Sequence, residues 1–152
     1  MKVELRRLVV GAGLVVIIAA SLLAGYYLLT QPKTERIQIG GITLTVELAT
    51  TPSAQEEGLS NRSSMAADHG MLFVFDQSGQ WSFWMHEMLF PLDIIWFNSS
   101  RQVVFIEEDL PPCTPNICPV YTPPVAAMYV LEVNAGFVAT YGITLGESFS
   151  FV

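Results

Sequence analysis

Residues 36–50 alternate apolar and polar side chains, with Ile37, Ile39, Ile42, Leu44, Val46 and Leu48 at every second position on either side of Gly40-Gly41. A period of two marks a half-buried strand, and paired glycines suit a tight turn, so a hairpin is predicted. The next run, Thr51-Pro52-Ser53-Ala54-Gln55-Glu56-Glu57-Gly58, has a capping hydroxyl, a Pro at the first helical position, two acids and a terminal Gly. One or two turns of helix are expected there. A loop over 60–69 precedes short β-rich runs at 71–75, 81–86, 93–97, 102–107, 128–133 and 148–152, with turn residues at Asp76-Gln77-Ser78-Gly79 and Asn98-Ser99-Ser100. A second short helix is predicted over 135–141, capped by Asn134 and stopped by Gly142. Short strands punctuated this often predict a mainly β fold: an antiparallel sandwich or barrel-like domain with one or two short helices.

Before all of this the pattern is different. Residues 8–29 carry no charge, and only Gly11, Gly13, Ser21 and Gly25 fall outside the apolar set. As a helix such a run is roughly 33 Å long, enough to span a hydrocarbon core. Lys2, Arg6 and Arg7 precede it, so the positive-inside rule assigns 1–7 to the cytoplasm, 8–29 to a single transmembrane helix, 30–35 to a linker and 36–152 to an extracytoplasmic domain. A cleaved signal peptide is the alternative, with small residues near Ala20-Ser21 and Ala24-Gly25, although the run is longer than a usual signal core.

Composition divides along the same boundary. The whole chain of 152 residues is 51% hydrophobic, 14% charged and of net charge −7. Beyond residue 31 there are four basic side chains (Lys33, Arg36, Arg62, Arg101) and thirteen acids, a net of −9. That charge repels a phosphate backbone, so no nucleic-acid partner is expected, and it opposes flat docking on anionic lipid. The two cysteines, Cys113 and Cys118, lie in a Pro-dense loop. In an oxidising compartment they are expected to form a local disulfide; the rival, a redox or metal pair, departs from CxxC spacing.

Five motifs in order carry a resemblance: Glu57-Gly58-Leu59-Ser60-Asn61-Arg62, Gly70-Met71-Leu72-Phe73-Val74-Phe75, Phe83-Trp84-Met85, Pro91-Leu92-Asp93-Ile94-Ile95-Trp96-Phe97, and Tyr129-Val130-Leu131-Glu132-Val133-Asn134-Ala135-Gly136, with Gly146-Glu147 near the end. Over about residues 40–152 the chain resembles the domain of unknown function 192 family. The resemblance implies a mostly antiparallel β-sandwich, often exported, and no established reaction. Where the family usually continues Lys-Asn-Thr after the Trp84-Met85 position, this chain has His86-Glu87-Met88.

Arg62 and Asp93 are charges inside otherwise apolar motifs. Asp93 lies between Leu92 and Ile94, and a buried carboxylate needs partners. Arg62 is the expected one, either as a structural tie pinning the 60s loop or as half of a ligand-facing pair. Glu132 is expected to face solvent or to join the same cluster. Alternation places Trp81, Phe83 and Met85 on one face and Ser82, Trp84 and His86 on the other, where Trp84 and His86 either form a stacking platform or pack beneath a loop. Arg62, Trp84, His86, Asp93 and Glu132 are therefore the ligand-binding candidates.

Met85, His86 and Met88 are soft ligands of the kind that selects Cu(I), although Met also fills irregular cores. No G-x-S-x-G elbow occurs, and the H-E-x-x-H begun by His86-Glu87 fails at Phe90. A small hydrolase would have to rely on Asp93 or Glu132 as acid or base. No cofactor is expected. The leading expectation is a non-catalytic module, anchored in the membrane, that binds an envelope ligand or partner protein.

Overall fold

A computed structural model describes residues 18–23, 25, 31–114 and 116–152. Residues 18–23 and 25 are helical. The predicted cytoplasmic segment 1–7 and the remainder of the predicted span 8–29 lie outside the described residues, among which no helix is long and apolar enough to cross a membrane. The chain divides into two compact units, and the second, Lys33–Val152, contains all of the sheet structure.

Gly40 and Gly41 take φ values of 58° and 77°, the pair of positive angles that a two-residue hairpin turn of this hand requires. Strands β1 (Thr34–Ile39) and β2 (Ile42–Ala49) accordingly pair antiparallel, with Ile39 opposite Ile42. Helix α1 (Pro52–Glu57) starts where Thr51 Oγ1 accepts from the Ala54 amide at 3.2 Å, and it stops at Gly58, whose φ is 52°. The Gln55 side-chain amide then donates to the Val74 carbonyl at 2.9 Å and to the Ala49 carbonyl at 3.3 Å, which fixes α1 to the sheet.

The main sheet has seven strands in the order β6-β5-β8-β3-β2-β1-β9, and β4 (Phe83–Trp84) with β7 (Val120–Tyr121) forms a second, two-stranded sheet. The remaining strands are β3 (His69–Gly79), β5 (Leu92–Phe97), β6 (Val103–Leu110), β8 (Ala127–Asn134) and β9 (Ser150–Phe151). This corrects the expected antiparallel sandwich or barrel. β2 and β3 run parallel, so the main sheet is mixed. A parallel pair needs a long crossover, which α1 and the 60s loop provide; periodicity reports which face a residue takes, not strand direction.

Side chains alternate between two apolar cores on opposite faces of this sheet. Leu72, Ile95, Leu131 and Val133 pack on one face with the hairpin and with Phe137 and Val138 of α2 (Phe137–Tyr141). Phe73, Ile94, Trp96 and Val130 pack on the other, against Leu59, Phe83, Met85 and Met88. Both faces of β5 are therefore buried, and all six of its residues are enclosed.

Three local expectations change. Asp76–Gly79, read as a turn, continues β3 across a register irregularity between Val74 and Gly79. The strand expected over 81–86 shortens to Phe83–Trp84, yet the alternation survives: Phe83 and Met85 are buried, while Ser82, Trp84 and His86 are exposed. Asn134 does not cap α2, because its side-chain amide donates at 3.1 Å to the Met65 and Ala66 carbonyls and holds the 60s loop. The amides of α2 find their acceptor elsewhere.

Candidate functional site

Asp93 is that acceptor. Its side chain points to the α2 face of the sheet and is 0% exposed. Oδ1 accepts from the Asp109 amide at 2.8 Å and from the Gly136 amide at 3.3 Å, and Oδ2 accepts from the Val138 amide at 2.8 Å. The carboxylate serves as a remote cap, supplied 45 residues away in sequence from Val138, for a helix start whose own cap is the side-chain-less Gly136. Arg62 is not its partner, contrary to the expected tie. The guanidinium forms a two-pronged pair with Glu47 of β2, Nη1 to Oε1 and Nη2 to Oε2, the latter at 2.8 Å. The reason is geometric: the loop carrying Arg62 crosses the opposite face of the sheet from Asp93.

On that opposite face lies Glu132. In register it stands between Met71 of β3 and Ile94 of β5, and it is 5% exposed. Its Oε2 has no hydrogen-bond partner. Burial pushes the carboxyl up to about 8, although the Arg62 guanidinium pulls in the other direction. The group neither faces solvent nor joins Asp93, which were the two expectations from sequence.

Glu132 forms part of the wall of a cavity of about 140 Å³. The last turn of α1 supplies Glu56 and Glu57 to it, and Gly58–Ser60 follow. Aromatic walls come from Phe73 and Phe75 of β3 and from the segment Trp81–Trp84. A β-carbon on Gly58 would stand 4.0 Å from Glu132 Oε2 and 3.5 Å from Phe73, so the glycine keeps the space above the carboxyl open. Trp81 is held three ways: its ring stacks on Phe75 at 4.1 Å, Gly79 leaves room beneath it, and its carbonyl accepts from Trp96 Nε1 at 2.9 Å. Its own indole N–H remains buried and without a partner. Among the described residues the two buried side-chain polar atoms lacking a partner are thus Glu132 Oε2 and Trp81 Nε1, and both residues line this one cavity.

The rim carries the other candidates. Trp84 is 55% exposed, and its ring lies 5.3 Å from that of His86; both line the cavity. A wider, more open recess of about 550 Å³ shares Glu56, Glu57, Trp84 and His86 and adds Glu87. Cys113 and Cys118 form the expected disulfide. His86 has a ring nitrogen within 4.8 Å of both sulfurs, but these are bonded to each other and offer no thiolate to a metal. Met85 and Met88 are buried in the apolar core, whereas His86 is exposed.

The structure therefore brings together Glu132, Trp84 and His86, sets Arg62 where its charge acts on Glu132, and leaves Asp93 on the far face. Trp81 and Gly58 join the site unannounced. Alternation assigns Trp81 to a packed face, and nothing in the sequence signals that its N–H would lack an acceptor.

Solved structures that share this fold include two relatives. A candidate transcription regulator from Sinorhizobium meliloti is 35% identical, with a TM-score of 0.74, covering 80% of this chain and 96% of its own. A protein of unknown function from Novosphingobium aromaticivorans is 26% identical, with a TM-score of 0.71, covering 80% of this chain and 87% of its own. Comparison with functionally curated proteins finds no match. Residues 35–151 match the family of uncharacterized ACR proteins known as domain of unknown function 192 (DUF192), and the chain belongs to that family.

Proposed function

We propose that this protein is a membrane-anchored, extracytoplasmic binding module whose cavity beside Glu132 receives a small polar group of an envelope ligand. One observation carries the reading: Glu132 and Trp81, whose carboxyl oxygen and indole N–H are each buried and unpartnered, line the same aromatic cavity. Leaving such groups unpaired costs about 1–3 kcal/mol each, a cost that a ligand recovers by pairing with both. The apolar run at 8–29 with its basic flank supports the anchor, and the disulfide supports an oxidising location. The regulator description of the Sinorhizobium relative does not transfer readily to a domain of net charge −9.

Ligand-observed NMR on the full chain with a panel of small polar ring compounds tests the cavity. Binding should weaken in Trp84→Ala, an exposed rim substitution, and in Glu132→Gln. Equal binding by parent and both variants would reject the site. A phosphatase reporter fused after Val152 should be active only if that end lies outside the cytoplasm.

A second reading, an acid catalyst, is favoured by the raised Glu132 carboxyl, which stays protonated at neutral pH as a general acid must. It requires turnover of an ester or glycoside substrate that Glu132→Gln abolishes.

A further inference from the structure

Resting on that cavity as the binding site, we infer that its ligand presents a small organic ammonium group to Glu132, with a hydrogen-bond acceptor beside it for the Trp81 N–H. The first argument is charge. Four titratable residues line the cavity (Glu56, Glu57, His86 and Glu132), and neither Lys nor Arg is among the lining residues. The nearby cation, Arg62, is engaged by both oxygens of Glu47 and cannot swing toward Glu132 without abandoning that pair. The outer recess adds Glu87 to the same two rim carboxylates, so the approach as well as the floor is acidic. Such a funnel concentrates cations and repels phosphates and carboxylates.

The walls point the same way. Phe73, Phe75, Trp81, Phe83 and Trp84 surround the space, and aromatic faces attract an ammonium group while offering a neutral hydroxyl only contact. Glu132 Oε2, cut off from water, has no hydrogen-bond partner. A hydroxyl supplies a hydrogen bond alone, whereas an ammonium supplies a hydrogen bond and a charge that pairs with the carboxylate once its proton is released. The Trp81 N–H narrows the class further, because a quaternary or simple alkyl ammonium would leave it unpaired. An amino alcohol, an amino sugar or an amide-bearing amine satisfies both atoms. At about 140 Å³ the cavity compares with the roughly 150 Å³ space that holds benzene, so a single ring or a terminal group fits.

The test is calorimetric titration of the full chain at neutral pH with trans-2-aminocyclohexanol and with its isostere, trans-1,2-cyclohexanediol. The amino alcohol should bind at least about tenfold more tightly than the diol. Glu132→Gln should remove that preference, and Trp81→Phe should weaken binding while retaining it. Because binding ionises Glu132, about one proton should be released per ligand, read from the dependence of the heat on buffer ionisation enthalpy. Equal or tighter binding of the diol that is sensitive to Glu132→Gln would overturn the ammonium assignment and leave the cavity standing. Amine preference that survives Glu132→Gln would place the cation on the outer carboxylates and also overturn it. Absence of binding by either probe at millimolar concentration would overturn both readings. Thermal unfolding of each variant checks folding, and Trp84→Ala on the exposed rim gives an independent loss of amine binding should Glu132→Gln not fold.

Discussion

Asp93 and Glu132 are the acidic side chains buried in the domain, and they differ in what the fold does with them. Asp93 has three amide partners and no route to the cavity, so its work is structural. Asp93→Ala should destabilise the domain by about 3–5 kcal/mol, since it strands the buried Val138 amide and two part-buried amides at once; chemical denaturation measures this, and a loss below that of a surface variant would deny the capping role. Asp93→Asn, which keeps one acceptor oxygen, should cost less. Arg62 acts on Glu132 through charge alone. Arg62→Ala removes a half-exposed pair with Glu47, at a cost of about 1–2 kcal/mol, and should push the Glu132 carboxyl higher still. Arg62→Lys should leave that titration, followed by NMR, close to the parent. That Asp93 and Arg62 were important could be read from their charge in apolar surroundings. Their partners could not, because Glu47 reaches Arg62, and the Val138 amide reaches Asp93, only through a sheet order that joins β2 to β3 in parallel and folds α2 back over β5.

At the scale of elements, the hairpin, α1 and the core alternation are legible because each is set by local chemistry: paired glycines, a Thr cap followed by Pro, and a period of two. The site is an arrangement of element ends and is far less legible. It forms where α1 stops at Gly58, where β3 ends against Trp81, and where Glu132 interrupts an apolar strand. Gly58 combines φ 52° with ψ −134°, a region that only glycine occupies readily. Gly58→Ala should therefore cost about 1–3 kcal/mol in unfolding free energy. Its methyl would also take up cavity space in ordinary contact with Phe73 and Glu132 and so weaken ligand binding, whereas a purely structural glycine would change stability alone. The Cys113–Cys118 loop is anchored to the same region by the Cys113 amide, which donates to Met85 at 3.3 Å. Replacing both cysteines by Ser should lower stability by about 2 kcal/mol, as expected for closing so short a ring, and reducing agent should have the same effect on the parent.

For the β domain as a whole, the buried carboxyl sets a pH dependence of unusual sign. Glu47 is held below its ordinary 4.5 by Arg62, so its stabilising contribution exists above that range and is lost as pH falls. Glu132 is the reverse. Its folded-state value of about 8 exceeds the ordinary 4.5, so the folded protein holds a proton that the unfolded chain has already lost between those two values. Stability from this group is complete below about 4.5 and declines as pH rises through about 8, with a slope of at most ~1.4 kcal/mol per pH unit. The groups around it modulate this without reversing it: Arg62 lowers the value, and Glu56, Glu57 and His86 share the cavity. Denaturant titrations across that window should show the parent losing stability with rising pH. Glu132→Gln, which cannot ionise, should be flat by comparison. A parent curve that runs parallel to the variant's across the window would mean that Glu132 is solvated, and with it would fall the dry aromatic cavity on which ligand recognition depends. Saturating amine should reverse the parent's decline, because a bound cation stabilises the ionised carboxylate that the empty cavity disfavours.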